Sequence, residues 1–277
     1  MMDVQSFIEK YRIYIIIGIL VLAVAIIVMC GKKPQVKVPE NEVGNDIRAV
    51  MVINYHKVDN VFHSLSIQVD DFDKQMQWLQ KHGYHSITPD QLYEFVANGA
   101  ELPENPVLIT FDDGYRDNYV NAYPIMQKYG FVGTIFVVTS FLDKYPNYMT
   151  WDQARILEAN GFSIESHTVT HKSMTEASDE QIMEELVRSK ETIKDKLGKE
   201  ADYIAYPTGT YNLHIAQMVK DAGYKGAFTI RYDTVNRNSN VYALERVPIF
   251  HTENTNKDFL ERIQYLPLVN KDGWIKK

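Results

Sequence analysis

Pro106-Val107-Leu108-Ile109-Thr110-Phe111-Asp112-Asp113-Gly114 is the stretch on which the reading of this chain turns. The apolar run from Pro106 to Ile109 reads as a buried strand. Gly114 then supplies a turn. Two adjacent carboxylates therefore sit where a core strand runs out into a loop. Burying them unpaired would cost several kcal/mol, so strand packing alone has no use for them. At strand ends of α/β folds, carboxylates carry chemistry. A lone Asp-Asp-Gly is also a common turn, so the rest of the chain must decide.

Outward from that stretch, strands and helices alternate. Upstream, Ala49 to Asn54 reads as a first buried strand running into Tyr55-His56-Lys57-Val58. Phe72, Met76 and Leu79 share one face of a helix from Asp71 to His82. Thr88-Pro89-Asp90-Gln91 opens another, with Pro at the first helical position and Gln closing a capping box. Downstream, Asp117 to Tyr129 predicts a helix interrupted at Pro124, and Thr134 to Val138 a third strand. Thr150-Trp151-Asp152-Gln153 is a second capping box, for a helix ending near Gly161. Phe162 to Ser166 reads as a short strand, and Ser178-Asp179-Glu180-Gln181 opens a long helix to Leu197 and Gly198. Strands near Tyr203–Tyr206, Gly226–Ile230 and Arg246–Phe250 follow, with helices over Asn212–Ala222 and Asn256–Tyr265. This alternation implies an α/β fold with a mainly parallel sheet. About seven strands point to a barrel rather than an open doubly wound sheet. No Gly-x-Gly-x-x-Gly follows the first strand, which weakens a dinucleotide reading.

His167-Thr168-Val169-Thr170-His171 places two imidazoles four residues apart. On a helical turn they would point the same way, about 5–6 Å apart, as two ligands of one cation do. Two capping or surface histidines are the plainer alternative. This pair also follows a strand end, however, and in a parallel barrel all strand C-termini open on one face. One carboxylate and two histidines leave open positions on a divalent metal, as catalytic sites require. The second carboxylate is then free to act as a base. The residues alone do not say which aspartate takes which part.

Thr-Phe-Asp-Asp-Gly at 110–114 and His-Thr-x-x-His at 167–171, in this order, resemble the first two motifs of the polysaccharide deacetylases, the NodB-homology domain of carbohydrate esterase family 4. The resemblance spans roughly residues 49–265. It implies a distorted, incomplete (β/α) barrel and hydrolysis of acetyl groups from N-acetylglucosamine polymers or acetylated xylan. Carried over, it makes Asp112 the general base and Asp113, His167 and His171 the metal ligands. The cofactor implied is a divalent metal, zinc first, with cobalt, nickel, manganese or iron as alternatives.

Elsewhere the pattern departs from the family. Its third motif usually reads Arg-x-Pro-Tyr-Gly; here Ala205-Tyr206-Pro207-Thr208-Gly209 puts alanine where an arginine orients the base, and threonine where tyrosine stands. Arg246 is the candidate replacement, with a surface ion pair as its alternative. Tyr206 and Thr208 are candidates for orienting substrate, the backbone N–H at Thr208 for the oxyanion. Nothing matches the fourth motif well; Asp233 is nearest. His251, after the apolar Ile249-Phe250, is the candidate general acid. Tyr-His-x-Val at 55–58, Gly83-Tyr84, the Tyr-Pro-x-Gly turn and Trp151 resemble the branch that includes deacetylases of poly-β-1,6-N-acetylglucosamine, the biofilm exopolysaccharide. His56 is expected to line the groove, and Trp151 to stack on a sugar or pack.

The chain has 277 residues, 45% of them hydrophobic, enough for one sizeable core beside a membrane segment. A formal net charge of −7 argues against nucleic acid. Cys30 is the sole cysteine, so no internal disulfide forms. Ile13 to Cys30 is uncharged; as a helix it would span roughly 27 Å, close to a bilayer core of about 30 Å. A cleaved signal peptide fits less well, because Met29 is not a small residue. The expected organisation is a cytoplasmic segment (1–12), an uncleaved transmembrane anchor (13–30), a linker (31–48), a catalytic domain (49–265) and a tail (266–277). The flanking lysines do not fix orientation; the polysaccharide substrate places the catalytic domain outside the cell. The expected protein is a monomer at the cell membrane. Its rival is an inactive wall-glycan-binding protein on the same fold. A retaining glycosidase fits worse, because its two carboxylates lie about 5 Å apart on different strands.

Overall fold

Seven parallel strands build the molecule's frame, because the apolar runs are too short for helices and five of the six connections between them carry a helix that returns the chain to the same edge. The computed structural model describes residues 49–271. In chain order the main strands are β1 (Met51–Tyr55), β5 (Pro106–Phe111), β6 (Thr134–Val137), β7 (Ser163–Ser166), β8 (Tyr203–Ala205), β9 (Gly226–Phe228) and β10 (Val247–Pro248). They pair in the order β10-β1-β5-β6-β7-β8-β9. Every pairing is parallel, with Ile53 opposite Ile109 and Ile53 opposite Val247 fixing the register around β1. Three two-residue strands were not legible from the sequence: β2 (Lys57–Val58), β3 (Ser66–Ile67) and β4 (His85–Ser86). The first two pair only with each other, and β4 lies beside the start of β5.

The barrel is regular from β10 round to β9 and irregular at the seam between those two. There the chain from Thr229 to Arg246 supplies single bonds instead of a ladder. Leu244 N–H donates to Ala227 O (2.9 Å), Thr229 N–H to Leu244 O (2.9 Å) and Arg246 N–H to Arg231 O (2.9 Å). The segment expected as a strand over Arg246–Phe250 pairs only at Val247–Pro248, because its first residues are taken up in this seam.

Side chains alternate along each strand between two cores. Met51, Ile53, Tyr55, Ile109, Phe111, Ile135 and Ile164 face outward, under six helices. These are α1 (Val69–Lys81), α3 (Tyr123–Lys128), α4 (Trp151–Ala159), α5 (Asp179–Leu197), α6 (Leu213–Asp221) and α7 (Thr255–Lys271). On α5 the buried residues Ile182, Leu186, Ser189 and Ile193 form one stripe. Each of its aliphatic members contributes about 1.5–3 kcal/mol by leaving water. Val52, Leu108, Phe136, Ala205 and Phe228 face inward, and α2 (Pro89–Asn98) plugs the lower end with Leu92 and Phe95. All three expected capping boxes form, at Thr88, Thr150 and Ser178. The interruption at Pro124 is a π-helical turn, Asn118–Ala122, that runs into α3 with the proline in its first turn, where its missing N–H costs nothing.

Among the described residues no helix is long and apolar enough to cross a membrane. The proposed anchor at 13–30 and linker at 31–48 lie outside the described residues.

Candidate active site

Because inward and outward positions alternate, Leu108, Thr110 and Asp112 point to the barrel axis, and Asp112 meets it at the open upper end. Arg246, the residue before β10, enters the same space. Its guanidinium is fully buried and grips Asp112 with two parallel bonds, 2.7 Å to Oδ1 and 2.8 Å to Oδ2. Two further donors are used: Nε–H donates to Thr229 O (2.7 Å), and one terminal nitrogen to Thr110 Oγ1 (3.3 Å). A fork of this kind is the strongest common ion pair, and it fixes orientation as well as charge. Burial works to raise the Asp112 carboxyl, but the Arg246 charge and its hydrogen bonds, together with the His167 and His56 charges, outweigh it and hold the group well below the usual carboxylate range. Ala205 faces the same interior, and its small methyl side chain leaves room there for Arg246, which arrives from another strand.

Asp113 turns away from the axis by adopting a left-handed backbone (φ 74°), which a non-glycine residue holds only under strain. That turn brings its carboxylate to His167 and His171. Asp113 Oδ1 lies 3.6 Å from His167 Nε2 and 3.3 Å from His171 Nε2. Tetrahedral bonds of about 2.1 Å to one zinc ion would set ligand atoms about 3.4 Å apart, so the donor set fits a cation of that size. His167 Nδ1 lies 2.8 Å from Ala205 O, which fixes the proton on Nδ1 and leaves the Nε2 lone pair toward Asp113. Burial pushes the His167 imidazole down to about 3, keeping it in the neutral form that ligates metals, and lowers His171 in the same direction. Burial pushes Asp113 up to about 6; the His56 charge works against this rise and the Asp112 charge adds to it. Tyr115 lies close enough for the Asp113 charge to add to burial in pushing its phenol well above the usual range.

The helical turn expected under His167–His171 does not form. The segment is an irregular loop in which Thr168 (φ 67°) and His171 (φ 61°) are both left-handed. Thr168 N–H is taken by Ser166 Oγ (3.1 Å), and the amides of Val169 and Thr170 by Glu185, so none of them can enter a helical ladder. The imidazoles converge through strand-end geometry instead.

The remaining candidates divide. His56 follows β1 directly; its charge bears on both aspartates, and its Nδ1 is buried without a hydrogen-bond partner. His251 lies three residues beyond β10, its ring edge-on to Phe62 at 4.8 Å, with its Nδ1 likewise buried and unpartnered. Among the described residues no hydrogen bond or ion pair joins His251 to the aspartates. Thr208 is exposed, with a left-handed backbone (φ 59°) in the turn closed by Gly209 N–H to Tyr206 O (2.8 Å). Tyr206 is buried, its ring stacked on Tyr211 and its hydroxyl spent on Tyr242 O (2.9 Å), so it buttresses the turn rather than facing a ligand. Trp151 is 5% exposed in the outer core, which leaves it no face for a sugar; its place at the start of α4 is a packing role. Asp233 caps its own loop, accepting from Thr234 N–H (2.7 Å).

Sequence reasoning missed Tyr115, Glu185 and Ser189. A signal for Ser189 existed: it is a polar residue on the apolar stripe of α5, three positions after Leu186. Glu185 lies one turn before it.

Comparison with known proteins agrees with this geometry. The family model described as polysaccharide deacetylase matches residues 99–227, which carry both the aspartate pair and the histidine pair. The "Putative polysaccharide deacetylase YxkH" of Bacillus subtilis is 32% identical over 198 residues, covering 72% of this chain and 70% of its own length. The poly-β-1,6-N-acetyl-D-glucosamine N-deacetylase of Staphylococcus aureus is 26% identical over 230 residues, with 73% and 79% covered. Among solved structures, the Streptococcus pyogenes deacetylase PplD in complex with acetate superposes with a TM-score of 0.73 at 26% identity, over 78% of this chain and 98% of that one. The chain belongs to the polysaccharide deacetylase family.

Proposed function

We propose that this protein is a metal-dependent N-deacetylase of N-acetylglucosamine polysaccharide, anchored in the membrane through residues 13–30 and acting outside the cell. The observation that carries the chemistry is the convergence of Asp113, His167 and His171 on one point beside an arginine-locked Asp112. These three residues would hold the cation. It supplies Lewis acidity toward the acyl oxygen and toward water. Asp112 is the base: Arg246 keeps it ionised at neutral pH and aims it, so it accepts the proton of the attacking water. The Thr208 backbone N–H would donate to the developing oxyanion, since Pro207 has none and the amides of Tyr206 and Gly209 are spent on Phe228 O and Tyr206 O. We assign protonation of the departing amine to His56, which follows β1 beside the strand that carries Asp112, with His251, whose Nδ1 is likewise unpartnered, as the alternative acid.

The choice of polymer follows the relatives. A deacetylase of poly-β-1,6-N-acetylglucosamine is among them, and cell-wall glycan is the second substrate class. The rival reading, an inactive glycan-binding protein, draws its weight from Ala205 and from the poorly matched fourth motif; Arg246 answers the first, supplying the guanidinium that Ala205 lacks. The test is acetate release by the full chain from β-1,6- and β-1,4-linked N-acetylglucosamine oligomers in parallel. Release from the β-1,6 oligomers is expected to be the faster. Glycan binding without acetate release, in the presence of added zinc or cobalt, would favour the binding protein.

A further inference from the structure

His167 and His171 reach the Asp113 carboxylate by different means. His167 is fixed from within the barrel, its N–H on Val137 O (2.9 Å) and its ring on Ala205 O. For His171, half-exposed, no hydrogen bond to the ring is found among the described residues; its place depends on the backbone of Thr168 to His171. That backbone is held in two left-handed conformations, each of which persists only where its surroundings enforce it.

The enforcement comes from α5. Glu185 accepts from Val169 N–H (2.8 Å), Thr170 N–H (2.8 Å) and Thr170 Oγ1–H (2.6 Å). Among the described residues no lysine or arginine pairs with this carboxylate, so its hydrogen bonds go to the loop between the two histidines. One turn on, buried Ser189 holds Ser166 Oγ (2.9 Å), which in turn takes Thr168 N–H. We infer that Glu185 is the positioning residue of the metal site, setting the His171 imidazole against Asp113 and His167. The inference rests on the metal-dependent reading above.

A purely structural role is separable from this one. Val169 and Thr170 are half-buried and exposed, so the clamped segment adds little to the core. Loss of the clamp should therefore free His171 without unfolding the domain.

The test measures zinc affinity of the full chain by competition with a chromophoric chelator, the cobalt absorption spectrum, and the melting temperature of the metal-free protein. Glu185→Ala is expected to weaken zinc binding about 10–100-fold, the usual effect of losing a group that orients a ligand. The cobalt bands should change, with little shift in the metal-free melting temperature. Glu185→Gln keeps an acceptor for the two amides and should recover most of the affinity. Glu185→Asp, retracted by one methylene, should not; it also carries the test if the alanine variant fails to fold. Wild-type zinc affinity in the alanine or aspartate variant overturns the inference. A wild-type chain that binds no metal overturns the functional reading as well, so the two failures are distinguishable.

Discussion

Arg246 and Asp112 are each other's reason for being buried. Removing the arginine leaves an unpaired carboxylate on the barrel axis, so Arg246→Ala should cost about 3–5 kcal/mol in a urea unfolding experiment and nearly all activity. Arg246→Lys keeps a charge but loses the fork, and should retain more stability than activity. Unchanged stability in the alanine variant would contradict the pairing. At Asp113 the sign is opposite, since its carboxyl is raised to about 6. In the metal-free fold, a raised carboxyl favours the folded state below the ordinary value and gives that contribution up as pH rises toward about 6. Metal needs the ionised form, so zinc affinity should fall by about tenfold per pH unit below pH 6. Burial holds His167 near 3 and lowers His171, which leaves the aspartate as the titrating ligand. Calorimetric zinc titrations from pH 5 to 8 check this; affinity flat down to pH 5 would contradict it. The aspartate and histidine motifs were legible because their residue types are costly anywhere but a site. The bidentate grip of Arg246 was not, since spacing along the chain says nothing about which strand lies across a barrel.

Elements were legible where local chemistry fixes them. The capping boxes at Thr88, Thr150 and Ser178 and the apolar stripe of α5 are written within a single helix. The two-residue strands and the His167–His171 loop were not, because distant partners hold them: β4 by β5, the loop by α5. The proposed choice of acid rests on strand ends. β1 delivers His56 beside β5, whereas β10 delivers His251 to the loop that carries Phe62. His56→Ala should lower kcat about 10²–10⁴-fold with zinc affinity retained, and His251→Ala should change kcat little. The reverse ranking would return the acid to His251.

For the whole molecule, alternation of strand and helix was enough to predict a parallel barrel, and one irregular seam is what makes it incomplete. The seam matters to function, because the chain that closes it delivers Arg246 to the axis. The net charge of −7 disfavours contact with anionic polymers and is compatible with an uncharged glycan. Anchoring predicts that the full chain sediments with membranes and floats with lipid vesicles, and that removing residues 1–30 abolishes both. Equal partition of the two forms would refute the anchor, and elution at twice the chain's mass would refute the monomer. The central claim is that one cation, held by Asp113, His167 and His171, is required for deacetylation. It is tested most directly by stripping the full chain with chelator and titrating zinc back while recording acetate released from β-1,6-linked N-acetylglucosamine oligomers. The stripped chain should release no acetate, recovery should saturate at one zinc per chain, and Asp113→Ala should not recover. Release that persists without metal, or that returns in Asp113→Ala, would contradict it.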